Sequence, residues 1–259
     1  MIPEVCAPSK TVKKYSCYND DDLQKLKQKY NKTYRKKIRA KSPYLIWKGL
    51  HRLKCPTESC FSTKLNMHTT RFAPKSPREW IKKPTAWLSS DDITKVLRQY
   101  EVAYPEFKYI GPSPSDFYFR ENGTCVWEEL CKFNVHEISK TKKKVGIVFN
   151  LDIHSGGGTH WIGIFMDLTS KKMYYFDSTG SSIHSEPHIH KFYEKVKEQD
   201  PSYLLIENKV EHQKGNTECG MYTLFFIIVM LQSGKFSYFQ KNVFPDKSMV
   251  TLRKKLFNK

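Results

Sequence analysis

The chain has 259 residues, 39% of them hydrophobic and 14% aromatic, enough for one large domain or two modest ones with a sizeable core. Its net charge is +18, and residues 1–85 hold +15 of it, with 21 Lys and Arg against 6 Asp and Glu. No apolar run reaches bilayer-spanning length and the opening MIPEVCAPSKTVKK lacks the apolar stretch of a secretory leader; seven cysteines in no regular framework fit a soluble protein of a reducing compartment with largely free thiols.

In chain order, DDDLQKLKQKYN (20–31) places three acids at a helix N-terminus and spaces Leu23, Leu26 and Tyr30 on one helical face. The overlapping stretch KLKQKYNKTYRKKIRAK, Lys25 to Lys41, suits either a polyanion held by counterion release or a solvated basic helix face. RFAPKSPREWIKKPTA (71–86) carries three prolines and reads as an extended connector. SSDDITKVLRQYEVAY predicts a helix with Ser90 as N-cap and Ile93, Val96, Leu97 and Tyr100 facing a core, and GPSPSDF (111–117) reads as a loop. Three short strands follow at 145–150, 161–167 and 173–177, then a helix over HIHKFYEKVKEQ and a strand at YLLIE. Met221 to Leu231 is apolar on every side and predicts a central buried helix capped by Gly234. This order implies an α+β body with a sheet packed on a buried helix, behind a basic N-terminal arm over 1–70, a connector over 71–86 and a core over 87–259.

Cys219 stands at the start of that buried helix, where unpaired backbone N–H groups and the helix dipole favour a thiolate. Gly220 beside it leaves room for a substrate backbone. A nucleophilic cysteine needs a base and a group to orient the base. If 161–167 and 173–177 form a hairpin, His160 before the first strand and Asp177 at the end of the second meet at one sheet edge. Gln213, six residues before Cys219, and Asn216, three residues closer, compete as the side-chain donor that would join the Cys219 N–H in an oxyanion hole; the chemistry alone does not rank them. Cys55-x4-Cys60 and Cys125-x5-Cys131 lack zinc-site spacing and paired histidines, so no metal is expected, and no cofactor is required. His184, His188 and His190 are expected to face solvent.

His160–Trp161, then Asp177–Ser178 seventeen positions after the histidine, then Gln213-x5-Cys219-Gly220 resemble the Ulp1-like cysteine peptidases, in which SUMO-deconjugating enzymes and the adenovirus protease are grouped. AWLSSDDI (86–93) is similar to the Trp-Leu-Asn-Asp stretch of the deconjugating branch, with Ser89 and Ser90 in place of Asn-Asp. From about residue 70 onward the texture is closer to the polyprotein-processing proteases of African swine fever virus and other large DNA viruses. The African swine fever virus enzyme has Asn where Asp177 stands here.

The resemblance implies a Ulp1-like fold, with a central mixed sheet packed on the helix that carries the nucleophile and a mainly helical arm. It implies a thiol endopeptidase that cuts after Gly-Gly, with Trp161 and Trp87 closing a channel that admits only glycine. Gln213 takes the oxyanion role by its place in the motif, and Asn216 falls to substrate binding. The expected substrates are viral structural polyproteins with Gly-Gly-Xaa sites, in the virion and host cytoplasm, and not a secreted setting or a membrane partner. DNA contact through the arm is a further expectation. Two rivals stand beside this reading: a deconjugase acting on a folded ubiquitin-like protein, and a DNA-binding core protein with a vestigial peptidase site.

Overall fold

The structure, a computed structural model, describes residues 1–8 and 15–259; part of the basic N-terminal region, residues 9–14, lies outside the described residues. The chain divides into two compact units, Met1–Ser76 with Lys255–Lys259, and Pro77–Lys254.

The first unit is helical, with α1 (Asp20–Thr33), α2 (Pro43–Leu50) and α3 (Cys60–Lys64). Helix α1 starts in a capping box between Asn19 and Asp22, and Leu23, Leu26 and Tyr30 face a core shared with Ile46, Leu50 and Phe61. Within α1 the exposed Lys25, Lys29 and Lys32 lie off this face, and Arg35, Lys36, Lys37, Arg39 and Lys41 are exposed in the non-helical segment that follows Thr33. The C-terminal residues belong here, unlike the core expected over 87–259. The Asn258 carboxamide accepts from Val5 N at 2.6 Å and donates to Val5 O and Ala73 O, and the Asn258 backbone pairs with Pro74 and Ser76. Residues 71–76 are therefore stitched into the first unit, and the expected connector also contains a 3-10 turn at Arg78–Ile81.

In the second unit the helices are α4 (Ser90–Ala103), α5 (Glu128–Cys131), α6 (Val135–Ser139), α7 (Pro187–Gln199), α8 (Cys219–Ser233), α9 (Ser237–Lys241) and α10 (Asp246–Leu256), the last running on into the first unit. The strands are β1 (Phe107–Pro114), β2 (Arg120–Glu121), β3 (Thr124–Cys125), β4 (Lys144–Asn150), β5 (Trp161–Asp167), β6 (Lys172–Phe176) and β7 (Leu204–Glu207). The central sheet runs β1-β4-β5-β6-β7, with the outer pairs parallel and β4-β5-β6 antiparallel; β2 and β3 form a separate ribbon. This is a mixed sheet in an α+β fold.

Alternation decides which helix covers each face. Val145, Ile147, Phe149, Ile162, Ile164, Met173 and Tyr175 share a core with Ile189, Phe192 and Val196 of α7. The intervening positions meet α8: Phe165 and Phe176 pack on the Phe226 ring, and Gly146 lies under Ile227. Both faces are covered, which is why these strands read as continuous apolar runs. Helix α8 ends as expected, with Gly234 at φ 65°.

Three expectations are corrected. The N-cap of α4 is Ser89, not Ser90: its hydroxyl accepts from Asp92 N while the Asp92 carboxylate accepts from Ser89 N, a reciprocal box that only this register closes. The loop expected over 111–117 is largely strand, because Ser113 and Pro114 pair with Phe149 and Asn150 past an irregularity after Ile110, a pairing invisible in a Pro-rich segment. The thiols are not largely free. Cys6–Cys17, Cys55–Cys60 and Cys125–Cys131 are disulfides, since each pair folds to a Cα separation of 5.2–6.4 Å, and Cys219 alone is free.

The seam between β5 and α8 has no slack. A Cβ on Gly163 would come within 2.8 Å of the Phe226 ring, itself enclosed by Phe165, Phe176, Phe236 and Phe239. Gly163→Ala is expected to cost about 1–3 kcal/mol by overpacking, read as a lower midpoint in urea unfolding; an unchanged midpoint would show that the ring has room to move.

Candidate active site

Helix α8 is apolar on every side, and its N-terminal residues Cys219 to Leu224 are all buried. Its first residue is Cys219, buried at 2% exposure. The residue before it, Glu218, gives the helix no side-chain cap, so the N–H groups of the first turn have no acceptor from that side chain. One turn on, the Thr223 hydroxyl donates to Trp161 O at 3.1 Å and pins this end of α8 to the start of β5.

The hairpin of β5 and β6 pairs Gly163 with Phe176, and this register brings the residues just outside it together. His160 Nε2 donates to Asp177 Oδ1 at 2.8 Å, with the Asp177 side chain at 2% exposure and that of His160 at 18%. The backbone N–H and hydroxyl of Thr179 donate to the same oxygen at 2.8 and 2.9 Å. Cys219 acts on the same imidazole, so that the sulfur and the Asp177 carboxylate bear on one ring. Burial opposes a charged ring, but the hydrogen bonds to Asp177 and Cys219 and their negative charges outweigh it and push the His160 pKa up to about 10. The site is therefore built to hold an imidazolium beside sulfur. His212 has the opposite character: its pKa is lowered by burial, against a hydrogen bond to Phe239 O, and its ring packs on Phe176 as a neutral core group.

Gln213 is buried and fixed at both ends. Its Oε1 accepts from Ser178 Oγ at 2.8 Å and its Nε2 donates to Gly215 O at 2.8 Å, leaving a second N–H to offer. Asn216 sits exposed on the same loop. Gly220 does not lie open to a substrate: it is buried, and a Cβ there would come within 3.0 Å of Leu88 and 3.2 Å of Trp161. The protein's own side chains fill the space the sequence assigns to a ligand backbone. The Trp161 indole donates to Leu88 O at 3.0 Å and is 6% exposed, whereas Trp87 is 41% exposed. Both tryptophans line one cleft of about 550 Å³, together with Leu88, Ser89, Gly157 and Gly158; neither Cys219 nor His160 lines it.

Two groups in this neighbourhood carry no motif. Asn208, fully buried, accepts from Asp177 N at 3.0 Å and donates to Asp177 O and Val210 O. It fixes the backbone that aims the carboxylate, yet in sequence it is one asparagine after a strand. Arg253 reaches back 35 positions to Glu218 at 2.9 Å, and no local pattern signals that pairing. Among the described residues no three His, Cys, Asp or Glu side chains are grouped to hold a metal, and His184, His188 and His190 interact instead with one another, with Tyr118 and with Glu194.

The unfolded chain releases the imidazole proton near 6.5, so the stability drawn from this raised pKa is complete below that pH and is lost as pH rises through about 10. In NMR titration the His160 ring is expected to keep its proton well above neutrality and to release it at lower pH in Asp177→Asn. Equal midpoints in the two proteins would remove Asp177 as the cause.

Known proteins resemble this chain in sequence and in fold. The sequence pattern described as "Ulp1 protease family, C-terminal catalytic domain" matches residues 91–259. A protein of Acanthamoeba polyphaga mimivirus assigned as a thiol protease is 27% identical over 273 residues, spanning 92% of this chain and 88% of its own length. A cysteine protease of African swine fever virus is 28% identical over 203 residues, 73% of this chain and 72% of its own. The crystal structure of the African swine fever virus protease superposes with a TM-score of 0.67 at 22% identity, covering 98% of this chain and 95% of the other. Among the described residues no helix is long and apolar enough to cross a membrane. With a free cysteine at the start of a buried helix, a histidine–carboxylate pair beside it and this pattern over residues 91–259, the chain belongs to the Ulp1 protease family and is a cysteine protease.

Proposed function

We propose that this enzyme cuts viral structural polyproteins after Gly-Gly during virion maturation, acting in the virion and the host cytoplasm. The observation that carries the reading is the cleft shared by Trp87 and Trp161, which begins one residue from His160 and one side chain from Gly220. Two flat indoles closing on an extended backbone exclude any side chain larger than hydrogen.

In this mechanism the Cys219 thiolate attacks the scissile carbonyl. Gln213, through its free N–H, and the Cys219 backbone N–H hold the oxyanion. The His160 imidazolium, held by Asp177, gives its proton to the leaving amine, and the acyl-enzyme is then hydrolysed by a water that His160 deprotonates. Asn216, exposed on the Gln213 loop, is placed with the substrate-binding groups.

Cys219→Ala is expected to abolish cleavage of Gly-Gly-Xaa peptides, and Gln213→Ala to lower kcat on the order of a hundredfold, with both proteins folded by circular dichroism. Trp87→Ala should relax the demand for glycine. Cleavage by the Cys219 variant would end this assignment; preference for a folded ubiquitin-like reporter would move the enzyme to deconjugation, and silence on both substrates would favour the vestigial-site rival.

The charge of residues 1–85 and the exposed Lys32, Arg35 and Lys36 support binding of DNA by the first unit. Replacing these three by Gln should flatten the log–log salt dependence of DNA binding by about one for each phosphate that is no longer neutralised, with peptide cleavage unchanged. A slope equal to that of the wild type would remove these residues from any such role.

A further inference from the structure

A buried ion pair lies directly behind the nucleophile position. Arg253 Nε donates to Glu218 Oε2 at 2.9 Å, and both side chains are 3% exposed. The same guanidinium donates to Ala86 O at 2.8 Å, makes longer contacts with Thr217 O and Thr85 O, and lies 4.4 Å over the Trp80 ring. Burial raises the Glu218 pKa, and Arg253 is the partner that opposes the rise. One side chain thus ties together two segments far apart in sequence. Thr217–Glu218 leads directly into Cys219; Thr85–Ala86 leads directly into Trp87–Leu88, whose far end is held by the Trp161 indole and packs over Gly220.

We propose that Arg253 is a positioning residue for this active site, setting the first turn of α8 that presents Cys219 through Glu218 and the indole wall of the cleft through Ala86. The proposal rests on the reading of Cys219 as nucleophile and Trp87 as channel wall. The planar fork matters to it. A lysine supplies one ammonium that can satisfy Glu218, but it has no second, fixed set of donors for the Thr85 and Ala86 carbonyls. The two roles therefore separate by substitution. Arg253→Lys keeps the charge partner of Glu218 and releases the wall. Glu218→Gln with Arg253→Met exchanges the ion pair for neutral groups of similar size, so the fold persists without a stranded buried charge while both tethers are cut.

The test measures two quantities on wild type, Arg253→Lys and the double variant: steady-state cleavage of a Gly-Gly-Xaa peptide, and the iodoacetamide alkylation rate at Cys219 followed by mass spectrometry. Arg253→Lys is expected to alkylate near the wild-type rate and to raise KM about tenfold with kcat little changed, and the double variant to show the raised KM together with alkylation slowed about tenfold. A merely structural role moves neither quantity in a folded protein. Wild-type KM in Arg253→Lys, or wild-type alkylation in a folded double variant, would overturn the proposal. Alkylation needs no substrate, so a wild type that cuts no Gly-Gly peptide counts against the proposed specificity while the alkylation comparison still decides on Arg253.

Discussion

Enclosing α8 is the constraint from which the rest of the second unit follows. A helix apolar on every side has no face to give to water, so a sheet must cover it, and the strand that does so carries Gly163 where the Phe226 ring needs room. The position of α8 against β5, locked by the Thr223 hydroxyl on Trp161 O, fixes where the helix begins relative to where the strand begins. Cys219 and His160 occupy those two beginnings. Their proximity is thus a by-product of core packing, and the precision of a close-packed interior passes to the site.

The electrostatics divide the buried polar groups near this end by partner. His160 is held cationic because a carboxylate and a sulfur face it; His212, buried among aromatic rings with a carbonyl for its N–H, is held neutral. Asp177 and Glu218 are both buried acids, and each has a cationic group on it, His160 in one case and Arg253 in the other. A buried charge with no such partner is costly, and the two acids find theirs differently: Asp177 within its own hairpin, Glu218 only because a segment 35 residues on supplies Arg253.

Much of this was legible from local pattern. The spacing of Leu23, Leu26 and Tyr30, the runs at 145–150 and 161–167, and the unbroken apolar stretch after Cys219 specify elements by periodicity alone, since their period is a property of the backbone. A hairpin of two adjacent strands is nearly as local, and it brings His160 to Asp177. The misreadings concern pairings that backbone period does not specify. The strand through Gly111 to Pro114 exists because β4 pairs with it, the Ser89 cap because Asp92 closes the box, and the three disulfides because their loops fold back on themselves.

Chemistry that depends on residue type and short spacing belongs to the sequence of this protein: a cysteine at a helix start, a histidine and an aspartate at the two ends of a hairpin, a glutamine six residues upstream. Only the tertiary structure decided that Gly220 is filled by Leu88 and Trp161, that Asn208 aims Asp177, that Gln213 is anchored and Asn216 is left exposed, and that Arg253 holds Glu218. Backbone periodicity acts over a few residues and is written in order along the chain. Side-chain contacts such as that of Arg253 with Ala86 join positions 167 residues apart, and their partners are set by the packing of the whole unit.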